Sequence, residues 1–457
     1  MDGSGGTVDT VANTRIARQF GPIEFVRRVR RDQLSILVPE MFSRPLLYAK
    51  LLFLHSFFLN KPEYIEQVLL TNADNYRKSH FLKRILGPLL GNGLLMSEGD
   101  FWRRQRRIAA PAFHHKRVAG FVDAMTASTA AMAGSWREGP AFDVGESMMA
   151  VTLEIIAATM FSADVSGAVG DVRRLLGVVM EHGKPGVLDL FGLPEFLPRR
   201  FPRPYRDAVR ELNGLIEGII APRRADGVDR GDLLSMLLAA RDPETGEGMS
   251  PAQLRDEVTT ILMAGHETTA NALAWTWYLL ARHPDAEARL HAELDAVLGG
   301  RRPSFADLAR LTYTRQVIEE TLRLYPPAHT ISRTAIAADR FGAVPVPAGS
   351  VITISPYTTH RNPTLWPDPE RFDPDRFAPD QVAGRHRFAY LPFGGGPRIC
   401  IGTAFAMAEA QAIVATVAQD WRLRLAPGHK VEPVGLITLR PASGVWVTAE
   451  RRKGAGT

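Results

Sequence analysis

The 457-residue sequence contains only one cysteine, Cys400. One thiol cannot form an intramolecular disulfide, and it cannot provide the several thiolates that a structural zinc site or an iron–sulfur cluster requires. Chains with so little cysteine are typical of reducing compartments, so we expect the protein to be cytoplasmic. The twelve histidines form no His-Glu-x-x-His or Cys/His spacing either, which argues against the common protein-ligated metal motifs.

Long apolar runs and targeting signals are also missing. The most apolar stretch, residues 51–59, is interrupted by His55 and Ser56 and is far shorter than the roughly 18 residues that span a bilayer. It predicts a buried strand, and we expect no membrane span. The first residues, Met1 to Gly6, include an acid and lack the basic segment and apolar core of a secretory signal.

Charge of one sign is not concentrated in any one segment. The chain has 55 basic and 49 acidic residues, which gives a net charge of +6. The arginines are scattered and occur without zinc-finger spacing or the aromatics of RNA-binding motifs, so we expect no nucleic acid partner. A basic patch for an acidic protein partner is the better interpretation. With 45% hydrophobic and 23% charged residues, the composition is typical of a globular protein, and the length alone does not fix the number of domains.

Helical signals dominate the chain. At residues 250–253, Ser-Pro-Ala-Gln supplies an N-cap, a proline at the first helical position and a capping-box glutamine, and the pair His283-Pro284 ends the helix. A helix of about 32 residues is roughly 48 Å long and crosses a molecule of this size. The same kind of pattern predicts further helices at 62–71, 284–297 and 313–324, and from Cys400 to about residue 419.

A smaller part of the chain has β patterns. Residues 344–355 alternate around Pro-Ala-Gly and predict a hairpin, and residues 421–450 predict closing strands with Gly435 and Gly444 at turns. Residues 362–397 are rich in proline and arginine and predict a long irregular segment. The sequence therefore predicts a mainly α fold with a smaller β-rich part.

The single cysteine lies in an unusual loop. Residues 393–402 read Phe-Gly-Gly-Gly-Pro-Arg-Ile-Cys-Ile-Gly, a glycine-rich loop that leads into a helix. A phosphate-binding loop is disfavoured, because Ile399 occupies the third glycine position of the dinucleotide pattern and no Gly-Lys-Ser/Thr follows. Unpaired N–H groups at a helix N-terminus lower a thiol pKa, which predicts a thiolate at Cys400. The alternative, an inert buried cysteine, does not need Phe, three Gly and Arg around it.

This decapeptide resembles the haem-binding signature Phe-x-x-Gly-x-Arg-x-Cys-x-Gly of the cytochrome P-450 haem-thiolate monooxygenases, and it matches every fixed position. The resemblance continues through other motifs over about residues 60–450. It implies the helical, roughly triangular P-450 fold, formed as one haem domain over residues 1–457, and a haem b (iron protoporphyrin IX) cofactor. It also implies that Cys400 is the axial thiolate ligand of the iron, and that Phe393 packs near the sulfur.

The predicted long helix has small residues at its middle. Residues 264–269 read Ala-Gly-His-Glu-Thr-Thr, and a mid-helix glycine costs about 1 kcal/mol relative to alanine, so something must lie against it. Ala264 and Thr268 share one face; alternatively, the threonine bonds back to its own helix. The stretch resembles the oxygen-binding segment of the family. That resemblance implies that Ala264 and Gly265 contact haem, that Thr268 orders a proton-donating water, and that Glu267 connects it to bulk solvent.

Two further motifs carry charge pairs. Glu320 and Arg323 are one helical turn apart, and Pro-Glu-Arg-Phe at 369–372 supplies Arg371. An isolated pair of this kind is usually a solvated helix face. Together the three residues resemble the Glu-Arg-Arg triad of the family, which implies that they pin the irregular segment beneath the cysteine loop in a structural role.

A basic run occupies residues 102–107, Trp-Arg-Arg-Gln-Arg-Arg, and by itself it indicates a solvated helix face. Trp102 and Arg106, however, resemble the family's Trp-x-x-x-Arg pair, whose side chains meet a haem propionate. The resemblance adds Arg333 and Arg398 as further propionate ligands. The remaining arginines of the run are left for the surface: Arg103, Arg104 and Arg107.

The resemblance implies insertion of one oxygen atom of O2 into an apolar organic substrate, by hydroxylation or epoxidation. The chain has no flavin, nicotinamide or iron–sulfur motif and no fused reductase domain, so NAD(P)H acts only indirectly, through a ferredoxin or flavodoxin with its reductase. We expect a monomer. The alternatives are a haem-thiolate peroxygenase, isomerase or ligand sensor, and a helical scaffold with an inert thiol. Family position places these residues in the substrate pocket: Phe81, Leu262, Ala328, His329, Ile331 and Ile437.

Overall fold

The structure is a computed structural model that describes residues 12–13, 22–51, 54–184, 201–241 and 246–452. Helices dominate it, as the sequence predicts. Within these residues, the helices of seven or more residues are α1 (Pro22–Arg31), α2 (His80–Leu90), α3 (Gly99–Ala109), α4 (His115–Gly134), α5 (Val144–Phe161), α6 (Val169–His182), α7 (Arg203–Asp226), α8 (Leu233–Ala239), α9 (Pro251–Arg282), α10 (Pro284–Leu298), α11 (Thr312–Leu324) and α12 (Thr403–Asp420).

The strands form one larger and three small sheets. They are β1 (Ala12–Asn13), β2 (Leu46–Leu51), β3 (Leu54–Leu59), β4 (Tyr76–Lys78), β5 (Phe142–Asp143), β6 (Ile331–Ala335), β7 (Asp339–Phe341), β8 (Val344–Val346), β9 (Val351–Ile354), β10 (Trp421–Leu425), β11 (Pro433–Gly435), β12 (Leu439–Pro441) and β13 (Trp446–Arg451). The larger sheet has the order β1-β2-β3-β9-β6-β4. The small sheets are β10-β13-β5, β11-β12 and β7-β8.

Helix α9 is the central helix, and its predicted bounds are confirmed. The Ser250 side chain accepts a hydrogen bond from the backbone N–H of Gln253 at 3.2 Å, and the helix ends at Arg282, one residue before His283. It packs along α5 and also contacts α11 and α12. Helix α5 is long and apolar enough to span a membrane by length and composition alone, but 61% of it is buried inside the protein. It is the one such helix in the part of the chain that the structure describes.

Two predicted β elements are wrong. Residues 51–59 do not form one buried strand: β2 and β3 are antiparallel partners that pair Leu51 with Leu54. The polar interruption is explained by a side-chain contact, since the Tyr48 hydroxyl lies 2.8 Å from Nδ1 of His55. Likewise, β8 and β9 do not form a hairpin with each other. Strand β8 pairs with β7, whereas β9 inserts between β3 and β6 in the larger sheet.

Candidate haem site

The cysteine loop, residues 393–402, is held in a fixed path. Gly396 has a φ of 65°, and a Cβ atom there would lie 1.6 Å from the Leu69 carbonyl oxygen, so only glycine fits. The backbone N–H of Cys400 donates to the Phe393 carbonyl at 2.9 Å, which closes the loop on itself. The Thr403 hydroxyl donates to the Cys400 carbonyl at 2.9 Å. These bonds place the cysteine just before the first turn of α12.

The Cys400 side chain is accessible to solvent, although protein atoms surround it closely. These atoms desolvate the thiol and raise its pKa. The Gly402 backbone N–H, the Thr403 hydroxyl and Arg106 lower that pKa by less. The prediction of a lowered thiol pKa is therefore wrong for the chain alone, because burial outweighs the helix terminus. A metal ion bound at the sulfur would supply the charge that removes the proton.

The remaining ligands of an iron atom bound at Cys400 would not be protein side chains. Among the residues that the structure describes, no group of three or more His, Cys, Asp or Glu side chains could hold a metal ion. A metal that brings its own equatorial nitrogen ligands, as iron does in haem, fits a site with a single protein ligand.

The middle of α9 presents a second open surface. Ala264 is exposed although it belongs to the central helix, where most of the neighbouring positions are buried. Thr268, one turn further on, is half-buried, and its hydroxyl donates to the Ala264 carbonyl at 2.6 Å. The back-bonded threonine considered as an alternative is thus present. Its proton is committed to the helix, so the hydroxyl offers its acceptor lone pairs to the open side.

Gly265, the residue after Ala264, is half-buried. A Cβ atom at this position would lie 2.8 Å from Cδ1 of Ile156 on α5. The glycine therefore lets α5 and α9 approach each other closely, so a core side chain is one of the groups that lie against it. Its predicted contact with the cofactor stays a prediction.

Glu267 points toward the β11–β12 hairpin. The Thr438 hydroxyl donates to Oε1 of Glu267 at 2.6 Å. Burial raises the pKa of the Glu267 carboxyl, while Thr438 and the charge of Arg440 lower it by less. In this structure the half-buried acid is joined to the hairpin, and its link to bulk solvent stays a prediction.

Four cationic side chains converge beside the cysteine loop. Lys78 and Arg333 are direct cross-strand partners on β4 and β6. The Arg398 guanidinium lies 3.8 Å from the centre of the Trp102 ring, and that of Arg106 lies 5.9 Å from it. The structure thus brings together all the predicted propionate ligands. Trp102 and Arg106 lie on α3, Arg333 lies on β6, and Arg398 lies in the cysteine loop.

This cluster carries more positive charge than its surroundings balance. In the described ranges, Glu98 contacts it, since it accepts from Arg398 and, at 2.8 Å, from the Lys78 backbone N–H. Glu257 is near enough to Lys78 for their charges to interact. Burial lowers the pKa of Lys78 from 10.5 to about 6 and that of Arg398 to about 10, and it also lowers the pKa of Arg333. Buried cations require anions. A flat cofactor with two carboxylate arms, as haem has, supplies them.

Lys78 is the member of this cluster that the sequence did not reveal. It is 6% exposed, and its ammonium donates to the Leu95 carbonyl. In the sequence it stands next to Arg77, which is exposed, and the two look equivalent. The only available signal was the strand alternation of residues 76–78, which places Lys78 on the buried face with Tyr76.

Comparison with known proteins identifies the family. A family model described as cytochrome P450 matches residues 33–443. Cyclooctatin synthase from Streptomyces melanosporofaciens is 44% identical over 374 residues, which are 81% of this chain and 81% of that protein. Cyclooctat-9-en-7-ol 5-monooxygenase from the same organism is 42% identical over 80% of each chain. The chain belongs to the cytochrome P450 family.

Solved structures agree with this assignment. The crystal structure of the cytochrome P450DA haem domain matches with a TM-score of 0.81 and 26% identity, covering 98% of this chain and 97% of that one. The predicted fold class is confirmed. The protein is a P450 monooxygenase that carries haem b, uses O2, oxidises apolar substrates and requires electrons from a redox partner.

The charged triad of this P450 uses a different third arginine from the one predicted. Glu320 and Arg323 form a fully buried pair at 2.7 Å, and Nε of Arg376 lies 3.6 Å from Glu320. Arg371 is exposed and contributes only its backbone carbonyl, which accepts from Arg323 at 3.0 Å. The tetrapeptide Pro-acid-Arg-Phe occurs twice, at 369–372 and 374–377. The second copy, which begins a 3-10 turn, directs its arginine inward.

The predicted pocket residues of this P450 fall into two groups. Phe81 packs with Ile85 and Leu86 of α2, and Met263 of the central helix, which sequence reasoning missed, joins the same cluster. Leu262 is 2% exposed and belongs to the main core, and together with Met263 it lines a cavity of about 190 Å³ between α6, α7 and α9. Its assignment to the substrate pocket stays a prediction.

The other group surrounds the β11–β12 hairpin. Ala328 is exposed, and Ile437 is 36% exposed at the tip of the hairpin. His329 is 2% exposed, and its Nε2 lies 3.0 Å from the Leu436 carbonyl. Its ring thus supports the hairpin. Cδ1 of Ile331 would lie 3.8 Å from a Cβ atom placed at Gly394, so the Ile331 side chain packs against the cysteine loop.

Proposed function

We propose that this P450 hydroxylates or epoxidises an apolar cyclic terpene alcohol. The observation that carries the proposal is its similarity to cyclooctat-9-en-7-ol 5-monooxygenase, which is 42% identical over 80% of the chain. That name describes an apolar ring compound with one hydroxyl group. The apolar side chains around the open face of α9, among them Phe81 and Met263, suit such a molecule.

Cys400 would ligate the haem iron in this proposal, and the cationic cluster would hold the two propionates. Lys78 and Arg333 lie in the sheet on one side of the cluster, and Arg106 and Arg398 lie beside Trp102. When bound, a thiolate-ligated haem would supply the binding and activation of O2. Phe393 packs against the main core at the start of the loop.

The chain itself handles protons through Thr268 and Glu267. Because the Thr268 hydroxyl proton is held by the Ala264 carbonyl, its oxygen accepts a hydrogen bond from a water on the open face and orients that water. Glu267, the neighbouring acid, is the group that exchanges a proton with that water. Burial raises the pKa of Glu267, which favours its protonated form as a proton donor.

The electron donor is proposed to be a ferredoxin or flavodoxin with its reductase, docking on α3. Arg103 and Arg107 are exposed on this helix, whereas Arg104 is half-buried, so the surface patch contains two of the three arginines predicted. Exposed charges of this kind raise association rates and are screened by salt. Arg103→Glu with Arg107→Glu should slow reduction by an acidic ferredoxin and flatten its salt dependence. Reversing Arg30 and Arg31, exposed on α1, serves as the control.

The substrate proposal is tested with the haem-loaded protein, NADPH, a surrogate ferredoxin and its reductase. Cyclooctat-9-en-7-ol should give a binding spectrum and a product that gains one oxygen atom from labelled O2, whereas a fatty acid and a steroid should give weaker spectra. Product formed from peroxide alone, with none from NADPH and O2, would instead indicate a peroxygenase. A spectral change with no product under either condition would indicate an isomerase or a ligand sensor.

A further inference from the structure

The β11–β12 hairpin is fixed at both ends to the rest of the protein. The Gly435 N–H donates to Asp32 at 2.8 Å, the Leu436 carbonyl contacts His329, and the Leu439 N–H donates to the Pro327 carbonyl at 2.9 Å. Between these anchors, Ile437 is 36% exposed and Thr438 is 7% exposed. Two adjacent residues of one short turn therefore face opposite environments.

The Thr438 hydroxyl is polarised in one direction. Nδ2 of Asn271 donates to it at 3.3 Å, and the hydroxyl in turn donates to Oε1 of Glu267 at 2.6 Å. Asn271 and Glu267 are four residues apart on α9 and so share a face. Because the asparagine occupies a lone pair of the threonine, the hydroxyl proton is directed at the carboxylate.

We propose that Thr438 is a positioning residue that holds Glu267 toward the hairpin, so that contact of a substrate with Ile437 is coupled to the release of Glu267 for proton delivery. A ligand that presses on Ile437 moves the adjacent Thr438 and lengthens its bond to the acid. The carboxyl then turns from the hairpin toward the open face of α9. This inference rests on the proposed role of Glu267, and its test separates the two.

A double-mutant cycle at Thr438 and Glu267 tests the coupling. Thr438→Val keeps the shape of the side chain and removes its hydroxyl, and Thr438→Ser keeps the hydroxyl. The readout is hydrogen peroxide released per NADPH by the haem-loaded protein, with cyclooctat-9-en-7-ol as the probe and, separately, without it. Thr416→Val is the matched control, because Thr416 is buried and its hydroxyl has no hydrogen-bond partner among the residues that the structure describes.

We expect Thr438→Val to abolish the dependence of peroxide release on the probe and Thr438→Ser to retain it. The valine variant also removes a hydrogen bond to a charged group, which is worth about tenfold in an equilibrium, so the limb of the pH profile that Glu267 governs should move up by about one unit. Arg440, the other charge that faces this acid, is unchanged in all variants. In a Glu267→Gln background, Thr438→Val should have no further effect.

The other outcomes are distinct. Equal effects of Thr438→Val with Glu or Gln at position 267 would overturn the proposal, because the threonine would then support the hairpin only. An effect of Glu267→Gln without one of Thr438→Val would overturn it while leaving the role of Glu267 intact. If Glu267→Gln itself changed nothing, the role of the acid would fail, and the coupling would fail with it.

Discussion

The guanidinium of Arg398 lies 3.8 Å from the centre of the Trp102 ring, so the cysteine loop and α3 meet at one edge of the site. The same arginine donates to the Ser97 carbonyl at 2.8 Å and to Glu98, just before α3 begins. Arg398 thus links the cysteine loop, which carries the residue that would ligate iron, to α3, which carries part of the cationic cluster that would hold the propionates. The site is assembled around charge that the chain alone does not neutralise.

Lys78→Met should have opposite effects on the apoprotein and on haem binding. In the folded apoprotein the Lys78 pKa is lowered to about 6, so between that pH and about 10.5 the unfolded chain holds a proton that the folded chain lacks. The free energy of unfolding therefore rises with pH across this window, and the methionine variant should lose that rise and be more stable at pH 7. Its haem affinity should fall by about tenfold, as expected for losing a charged hydrogen bond.

Denaturant unfolding of the apoprotein at several pH values, together with haem titrations, provides both readouts for Lys78. Arg77→Met, at the exposed neighbouring position, is the control and should change neither quantity. A variant that lowered both apoprotein stability and haem affinity would show that Lys78 supports β4 and does not serve an anion.

Replacing Arg376 by methionine should destabilise the protein much more than replacing Arg371 by methionine. Arg376 faces the fully buried Glu320 carboxylate, and removing one partner of a buried charge group costs about 3 kcal/mol. The exposed Arg371 side chain should cost less than about 0.5 kcal/mol, because its backbone carbonyl remains for Arg323. Thermal unfolding of the two haem-loaded variants measures both losses of stability. A larger loss of stability for Arg371→Met would show that Arg371, in the first Pro-acid-Arg-Phe copy, is the third residue of the triad.

The effect of Gly265→Ala on the free energy of unfolding should depend on the side chain at position 156. Alone, the new Cβ meets Cδ1 of Ile156, and overpacking of about 1 to 3 kcal/mol outweighs the helix-propensity gain of about 1 kcal/mol. In an Ile156→Ala background both crowding atoms, Cδ1 at 2.8 Å and Cγ1 at 3.1 Å from the new Cβ, are gone, so the same change should raise the free energy of unfolding. Unfolding free energies of the four proteins form the cycle. Haem spectra should be the same in all four, and a Soret shift confined to Gly265→Ala would instead place the glycine against the cofactor.

Thr268→Ala should uncouple NADPH consumption from product formation. The hydroxyl that orients water on the open face is lost, so product per NADPH should fall by at least about tenfold while peroxide release rises. Thr276→Ala removes an equivalent bond, since the Thr276 hydroxyl donates to the Ala272 carbonyl at 2.9 Å on the same helix. That control should remain coupled. Unchanged coupling in Thr268→Ala would remove this threonine from proton delivery.

The sequence predicted what local chemistry determines. The bounds of α9 follow from Ser250, Pro251 and Pro284, because caps and proline act on adjacent backbone. The loop around Cys400 was recognised because its glycines and fixed residues form one contiguous motif. These are the parts of the fold and site in which each residue's role depends on its immediate neighbours.

What could not be predicted depends on partners distant in the chain. Strand alternation is the one local signal that separates Lys78 from Arg77, and it does not show that Lys78 joins a cationic cluster. Arg376 and Arg371 stand in near-identical tetrapeptides, so the choice between them depends on which side chain the tertiary fold turns inward. The role of Gly265 required knowing that Ile156, more than 100 residues earlier, packs against it. The pKa of the Cys400 thiol likewise required knowing its burial, which outweighs the local helix terminus.

The most direct test of the account is the spectrum of the reduced carbon monoxide complex of the haem-loaded protein. Cys400 is the one cysteine of the chain, so wild type should bind one haem and absorb at the thiolate-specific position. Cys400→His should keep haem, through the intact cationic cluster, and should shift the band to the position typical of an imidazole ligand. A thiolate-type band that survived this substitution would contradict the assignment of Cys400 as the iron ligand.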